Sequence, residues 1–208
     1  MSQAGKFISL EGGEGVGKST QLLALAAALA ERGIDCLTTR EPGGSEGAEA
    51  IRALLLGGDA DRWSIRAEAL LFAAARADHV EKTIRPALEQ GRRVLSDRFL
   101  DSSLAYQGVA GELGLDPVRG LHGLGSEGFL PDRTLVLVLD EGSERARTRD
   151  SAGSDRIGGR SADYHAKVEA AFRMIADQEP ERVRLIDASG TPEQVTARLL
   201  DAIADLLP

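Results

Sequence analysis

The residues with the clearest chemistry sit in one segment, Gly12-Gly13-Glu14-Gly15-Val16-Gly17-Lys18-Ser19. It fits G-x-x-x-x-G-K-[ST], the phosphate-binding P-loop. Glycines let the backbone turn tightly, so that successive N–H groups face phosphate oxygens. A helix starting at the lysine would aim its free donors and its dipole at the same anion. Lys18 supplies a charge that reaches the β- and γ-phosphates of a nucleoside triphosphate, and Ser19 supplies a hydroxyl ligand for Mg²⁺. The whole run from Gly12 to Ser19 is therefore the expected ATP-binding segment.

Such a loop works only between a strand and a helix, and its flanks suit that role. Phe7-Ile8-Ser9-Leu10 reads as a short buried strand. Gln21 to Ala30 is rich in Leu and Ala and reads as a helix. Further strands are expected at Ile34–Thr39, Arg93–Ser96, Leu135–Leu139 and Val183–Ile186. Helices are expected from about Ser45 to Leu56 and from about Ala67 to Gln90, the latter kinked near Asp78. Others should start near Ser143, span roughly Ala162 to Gln178, and run from Pro192 to Leu206 with Thr191 as N-cap. Alternation of this kind implies βαβ crossovers. The expected fold is α/β, a P-loop NTPase-type three-layer sandwich: a central parallel sheet of about five strands with helices on both faces. A Gly/Ser/Asp/Arg-rich stretch, Asp150 to Ser161, suits a mobile lid over about 145–161.

Bulk properties bound the rest. The 208 residues suffice for one sizeable domain, expected to span 1–208. A hydrophobic share of 42% and a charged share of 28% are those of a soluble globular chain. With aromatics at only 4%, the core must be mostly aliphatic. The net charge of −8 argues against nucleic acid or an anionic membrane as partner. Cys36 is the sole cysteine, which excludes an internal disulfide and suits a small buried residue on a strand. The polar N-terminus and the absence of a bilayer-length apolar run imply a cytoplasmic location.

A P-loop gives the nucleotide but not the reaction. A GTPase switch would read guanine with Asn-Lys-x-Asp, and this chain contains no asparagine. A partition-type regulatory ATPase carries an extra lysine early in the loop, where Gly13 and Glu14 stand. A nucleoside-monophosphate kinase instead needs arginines on several loops to hold and neutralise two phosphate chains. Arg40, Arg52, Arg76 and Arg98 provide them, as do Arg145, Arg147, Arg149, Arg156 and Arg160 near the presumed lid. Arg98 follows a strand ending in Asp97, where open α/β sheets place their ligands.

Five segments, in order and spacing, then carry a resemblance. They are Glu11 to Thr20, Thr39-Arg40-Glu41-Pro42-Gly43-Gly44, Leu71-Phe72-Ala73-Ala74-Ala75-Arg76, Asp97-Arg98-Phe99 and Ala105-Tyr106-Gln107-Gly108. Together they closely resemble the bacterial thymidylate kinases, with the match running from Phe7 to Asp187. The resemblance implies transfer of the γ-phosphoryl group of ATP to dTMP with Mg²⁺, in a homodimer built by helix packing. It places Glu14, Glu41, Arg52, Phe72, Arg76, Arg98, Ser103, Tyr106 and Gln107 at the dTMP site. Phe72 would stack on thymine, Arg76 would hydrogen-bond the base edge, and Ser103 and Gln107 would help to read it. Arg52 and Arg98 would hold the acceptor phosphate, Glu14 the sugar 3′-hydroxyl, and Tyr106 would lie beneath the deoxyribose. Asp97 and Ser19 would serve Mg²⁺, and Lys18, Asp97 and Arg98 the transfer itself. In one branch of the family an arginine occupies the position of Gly15. Its absence here puts the catalytic arginine in the lid, at Arg149, with Arg147 and Arg156 as alternatives.

Read without the resemblance, some of these residues have plainer roles. Phe72, in Leu-Leu-Phe-Ala-Ala, suits a core position equally well. Glu14 suits a solvated loop acid, and Tyr106 suits packing on the helix below it.

Overall fold

A computed structural model describes residues 5–59, 61–139 and 156–208. The expectations for the segment beginning near Ser143, and for Arg145, Arg147 and Arg149, lie outside the described residues.

Five parallel strands form one sheet in the order β2-β3-β1-β4-β5. They are β1 (Lys6–Gly12), β2 (Cys36–Arg40), β3 (Arg93–Asp97), β4 (Arg133–Val138) and β5 (Val183–Asp187). The alternation of residue types along them explains the layers. Phe7, Val94 and Val136 point to one side, into a core shared with Ile84, Phe99 and Phe172. Ile8, Leu95, Leu135 and Leu137 point to the other, against Leu25, Leu29, Val195 and Leu199. Period-two alternation with both sets apolar is what a sheet covered on both faces requires. The expected α/β sandwich is thus observed.

Helices α1 (Lys18–Ala30), α2 (Glu46–Leu56), α3 (Ile65–His79), α4 (Arg85–Glu89), α5 (Leu100–Ser103), α6 (Leu115–Ser126), α7 (Ala162–Gln178) and α8 (Pro192–Ala202) cover the sheet. Their starts are chemically marked. Ser45, Ser64 and Ser161 cap α2, α3 and α7 through side-chain oxygens, and Thr191 with Gln194 forms a capping box on α8. α8 stops at Ala202, short of the expected Leu206, and a 3₁₀ turn completes the segment. β2 starts two residues later than Ile34, and Cys36, at its start on the sheet edge, is half-buried rather than buried.

The expected kink of the long central helix is a π-helical turn, Val80–Ile84, between α3 and α4. A second π-helical stretch, Leu104–Ala110, continues α5 and carries Tyr106 and Gln107. Such widened turns occur often beside functional sites. α6 lies where the sequence reading assigns no element, because Gly120, Gly123 and Gly125 dilute its helical pattern.

The register brings the chemistry together. Leu10 pairs with Asp97, and Asp97 also pairs with Arg40. The chain leaves β1 toward β2, inserts β3 between them, and then adds β4 and β5 on the other side of β1. Loops after β1, β2 and β3 therefore open into one crevice at the carboxyl ends of the strands.

Candidate active site

The P-loop joins β1 to α1 as expected. Gly12 has φ +134° and Gly17 φ +95°, which L side chains rarely adopt, and a Cβ on Gly12 would lie 2.5 Å from the Leu137 carbonyl oxygen. Lys18 is folded over the loop, its Nζ donating to the carbonyl oxygens of Gly12 at 3.1 Å and Gly13 at 2.6 Å. Burial, and then Arg98, push its ammonium down to about 8 against the pull of Glu14, Asp97 and Glu11. Ser19 Oγ donates to Asp97 Oδ2 at 2.7 Å, which unites the two proposed metal ligands.

A cleft of about 520 Å³ opens beside the loop. Glu14, Lys18, Ser19, Asp97 and Arg98 line it together with Glu41, Arg52, Phe72, Arg76, Ser103, Tyr106 and Gln107. All the residues assigned to dTMP therefore share one cavity. Gly15 and Gly17 also line it, while Val16 faces a second hollow.

Arg98 is the centre of the cleft. Its φ of +72° lies in the left-handed region, which costs a non-glycine residue energy unless its surroundings hold it. They do: its N–H donates to the Leu10 carbonyl at 2.9 Å, and its own carbonyl accepts from Ser96 Oγ at 2.7 Å. The guanidinium donates to Glu14 Oε1 at 2.6 Å, Ser102 Oγ at 3.0 Å and the Gly12 carbonyl at 3.2 Å, and lies 5.1 Å from the centre of the Tyr106 ring. Burial raises the Glu14 pKa, but Arg98 and Lys18 outweigh it and hold the carboxyl below its usual range. Burial pushes the Tyr106 phenol up to about 12, against the pull of Arg98.

Arg76 is fixed by three partners. Its Nε donates to Glu41 Oε2 at 2.8 Å, and its Nη2 to Ser103 Oγ at 2.8 Å and the Phe99 carbonyl at 3.2 Å. No partner among the described residues takes its Nη1. The other Glu41 oxygen meets His79 Nδ1 at 3.0 Å, and His79 Nε2 meets Thr39 Oγ1 at 2.7 Å. Arg52 Nη1 donates to the Pro42 carbonyl at 2.7 Å, which leans it over the same loop. Phe72 is partly buried against the core and also lines the cleft, so the core and stacking readings describe one position.

Arg156 is tied to α2 and α3. Its guanidinium is buried, pairing with Glu68, and its Nε donates to the Leu55 carbonyl at 2.9 Å. Arg156, an alternative lid arginine on resemblance, is thus held against α2 and α3. Residues 156–160 are docked on α3.

The sequence reading misses Glu11, Ser102, Glu68 and His79 as parts of the site. Glu11 Oε1 accepts from the Phe99 N–H at 2.7 Å, and its Oε2 accepts from Ser102 Oγ at 2.5 Å. Burial, and then Asp101, push its carboxyl up to about 8, while Ser102, Arg98 and the Phe99 N–H pull it down. A carboxylate directly before the P-loop glycines is the one sequence signal that could have found Glu11. Glu68 and His79 pair only across long sequence separations, and nothing local marks them.

The second hollow, about 240 Å³, lies between the P-loop and the loop after β5, with Val16, Thr20, Gln21, Ala188, Gly190 and Val195 in its walls. Its outer loop is held by Ser189 N–H and Oγ on the Asp187 carboxylate at 2.9 and 2.8 Å. Arg198 ties it down further by donating to the Asp187 and Ser189 carbonyls, both at 2.7 Å.

A P-loop on a five-stranded parallel sheet, opening into an arginine-lined cleft, defines a P-loop kinase of the nucleoside-monophosphate class. Comparison with known proteins narrows the class. The family model described as thymidylate kinase matches residues 10–199. The chain is 63% identical over 207 residues to a thymidylate kinase of Rhizorhabdus wittichii, covering 98% of this chain and 99% of that one. It is 47% identical to one of Caulobacter vibrioides, covering 98% of each. The crystal structure of thymidylate kinase from Ehrlichia chaffeensis superposes with a TM-score of 0.80 at 28% identity, covering 96% of this chain and 99% of that one. The chain belongs to the thymidylate kinase family.

Proposed function

We propose that this chain, as one catalytic domain over 1–208, transfers the γ-phosphoryl group of ATP to dTMP and releases ADP and dTDP. The observation that carries the reading is the position of Arg98. It lines the same cleft as the P-loop and as Phe72, Arg76 and Gln107, so one guanidinium would face both phosphate chains. ATP would lay its phosphates along the Gly12–Ser19 backbone, with its base in the hollow beside Ala188. Lys18 would exchange the Gly12 and Gly13 carbonyls for phosphate oxygens. The acceptor phosphate would take the Arg98 and Arg52 guanidiniums, which suit phosphate better than an ammonium does. Thymine would stack on Phe72, with Arg76 Nη1 as donor to its edge, Ser103 and Gln107 beside it, and the sugar between Tyr106 and Glu14. Phosphoryl transfer has a loose transition state, so positioning and charge neutralisation suffice without a strong general base.

The hydroxyl of Ser19 and the carboxylate of Asp97 form a compact pair of hard oxygen donors. That suits Mg²⁺, which takes few protein ligands and completes its shell with phosphates and water. When bound, the ion neutralises charge on the phosphate chain. Arg149 remains the lid arginine assigned on resemblance.

A homodimer through α3 and α6 fits the exposed Leu70 and Leu124 on those helices, which are 56% and 87% exposed. No described helix is long and apolar enough to cross a membrane, and with a single cysteine the chain suits a reducing cytoplasm.

A coupled ADP-release assay with ATP, Mg²⁺ and a panel of nucleoside monophosphates tests the reading. The expected outcome is ADP release that depends on dTMP. Preference for another acceptor, or slow hydrolysis indifferent to every acceptor, would refute it.

A further inference from the structure

Glu68, on α3, has a fully buried side chain on which three groups converge. Arg156 Nη2 and Arg160 Nη2 both donate to its Oε2, the latter at 2.7 Å, and Gln107 Nε2 donates to its Oε1 at 3.0 Å. Arg160 also lies 4.6 Å from the centre of the Tyr164 ring, and the Tyr164 hydroxyl donates to the Tyr106 carbonyl at 2.6 Å. Glu68 does not line the cleft, yet it stands four and eight residues before Phe72 and Arg76, on one face of the helix. One carboxylate thus joins residues 156–160, the helix face that carries the pocket, and Gln107 inside it.

This arrangement has a chemical consequence. A carboxylate only accepts hydrogen bonds, so Gln107 must turn its NH₂ group to Glu68 and its carbonyl oxygen away. Gln107 lines the cleft, and its polarity there is set from behind.

We propose that Glu68 is a positioning residue that fixes Gln107 as a hydrogen-bond acceptor in the acceptor-base pocket, so that the pocket selects a pyrimidine whose edge carries a ring N–H over one with a bare ring nitrogen. The inference rests on the dTMP reading above. It assigns discrimination between dTMP and dCMP to a buried residue that touches neither.

Glu68→Gln gives a sharp test. Arg156 and Arg160 at the Oε2 position would claim the amide oxygen of the new side chain, leaving its NH₂ to face Gln107. Gln107 must then reverse and present its own NH₂ to the cleft. The KM for dTMP should rise roughly tenfold, as for a hydrogen bond turned into a mismatch, with that for ATP nearly unchanged. The kcat/KM ratio of dTMP to dCMP should fall by a comparable factor, a change that loosened packing alone would not produce. If Glu68→Gln melts out, Glu68→Asp keeps the charge for both arginines but withdraws it from Gln107, and the base ratio should still fall. A folded Glu68→Gln or Glu68→Asp with wild-type dTMP KM and base ratio overturns the inference while leaving the kinase reading intact. A wild-type chain that ignores dTMP overturns both.

Discussion

Ser19 Oγ and Asp97 Oδ2 lie 2.7 Å apart, joining the first turn of α1 to the carboxyl end of β3. The two residues are 78 positions apart in the chain and meet because β3 pairs directly with β1. The carboxylate therefore stands at the point where the P-loop backbone presents its phosphate donors.

Asp97→Asn keeps the shape of that point and removes its charge. The variant should lose kcat on the order of 100-fold, the scale of one preorganised electrostatic contact to a transition state. It should also need more Mg²⁺ for half-maximal activity, while dTMP binding without ATP persists. An unchanged Mg²⁺ dependence would move the metal away from Asp97.

Arg98 allows charge and backbone to be separated. Arg98→Ala should raise the dTMP KM by an amount worth about 2 kcal/mol or more, with a smaller effect on ATP. Because φ at this position is +72°, Arg98→Gly should be more stable than Arg98→Ala by about 1 kcal/mol, although equally poor with dTMP. Thermal melts of the two variants decide the backbone argument. A defect confined to ATP would place Arg98 on the donor side.

How much of this was legible in the chain follows from which interactions are local. The P-loop, the cap at Thr191 and the alternation in the strands depend on neighbours in sequence, and they read directly. The resemblance placed Arg76, Arg98, Tyr106 and Gln107, and the structure gathers them in one cleft. The clasp of Glu68 by Arg156 spans 88 residues, and the Glu41–His79 contact spans 38. No pattern in either segment announces such pairs, so nothing in the sequence around Arg156 points to its buried carboxylate partner. The insertion of β3 between β1 and β2 was equally hidden, since periodicity reports strands but not their order.

Among the described residues, Lys18 Nζ donates only to backbone carbonyls, those of Gly12 at the end of β1 and Gly13 in the loop, and to no core side chain. Lys18→Ala should therefore fold with a near-wild-type melting temperature and lose nearly all transfer, because the charge that reaches the β- and γ-phosphates is gone. Turnover within a factor of a few of wild type, in a folded variant, would be incompatible with the P-loop assignment.

Glu11 should make stability depend on pH. Its carboxyl is buried, faces Asp101 on one side and Arg98 and Lys18 on the other, and is pushed from 4.5 to about 8. Between those values the folded chain holds a proton that the unfolded chain releases. The sign then follows from linkage: the contribution is fully present below pH 4.5 and is lost as pH rises through about 8. Glu11→Gln keeps an acceptor for the Phe99 N–H and a polar partner for Ser102 without carrying a proton to lose. The melting temperature of Glu11→Gln relative to wild type should therefore climb steadily from about pH 5 to about pH 9. A difference that stays flat across that range would mean that Glu11 is ionised in the native state, and that Arg98 and Lys18 outweigh its burial. The same titration followed with dTMP bound reports on the same group, because Ser102 links Glu11 to the Arg98 guanidinium through a 3.0 Å hydrogen bond. An acceptor phosphate that draws Arg98 toward itself removes charge that favours the ionised carboxylate, so the loss of stability should move to higher pH in the complex.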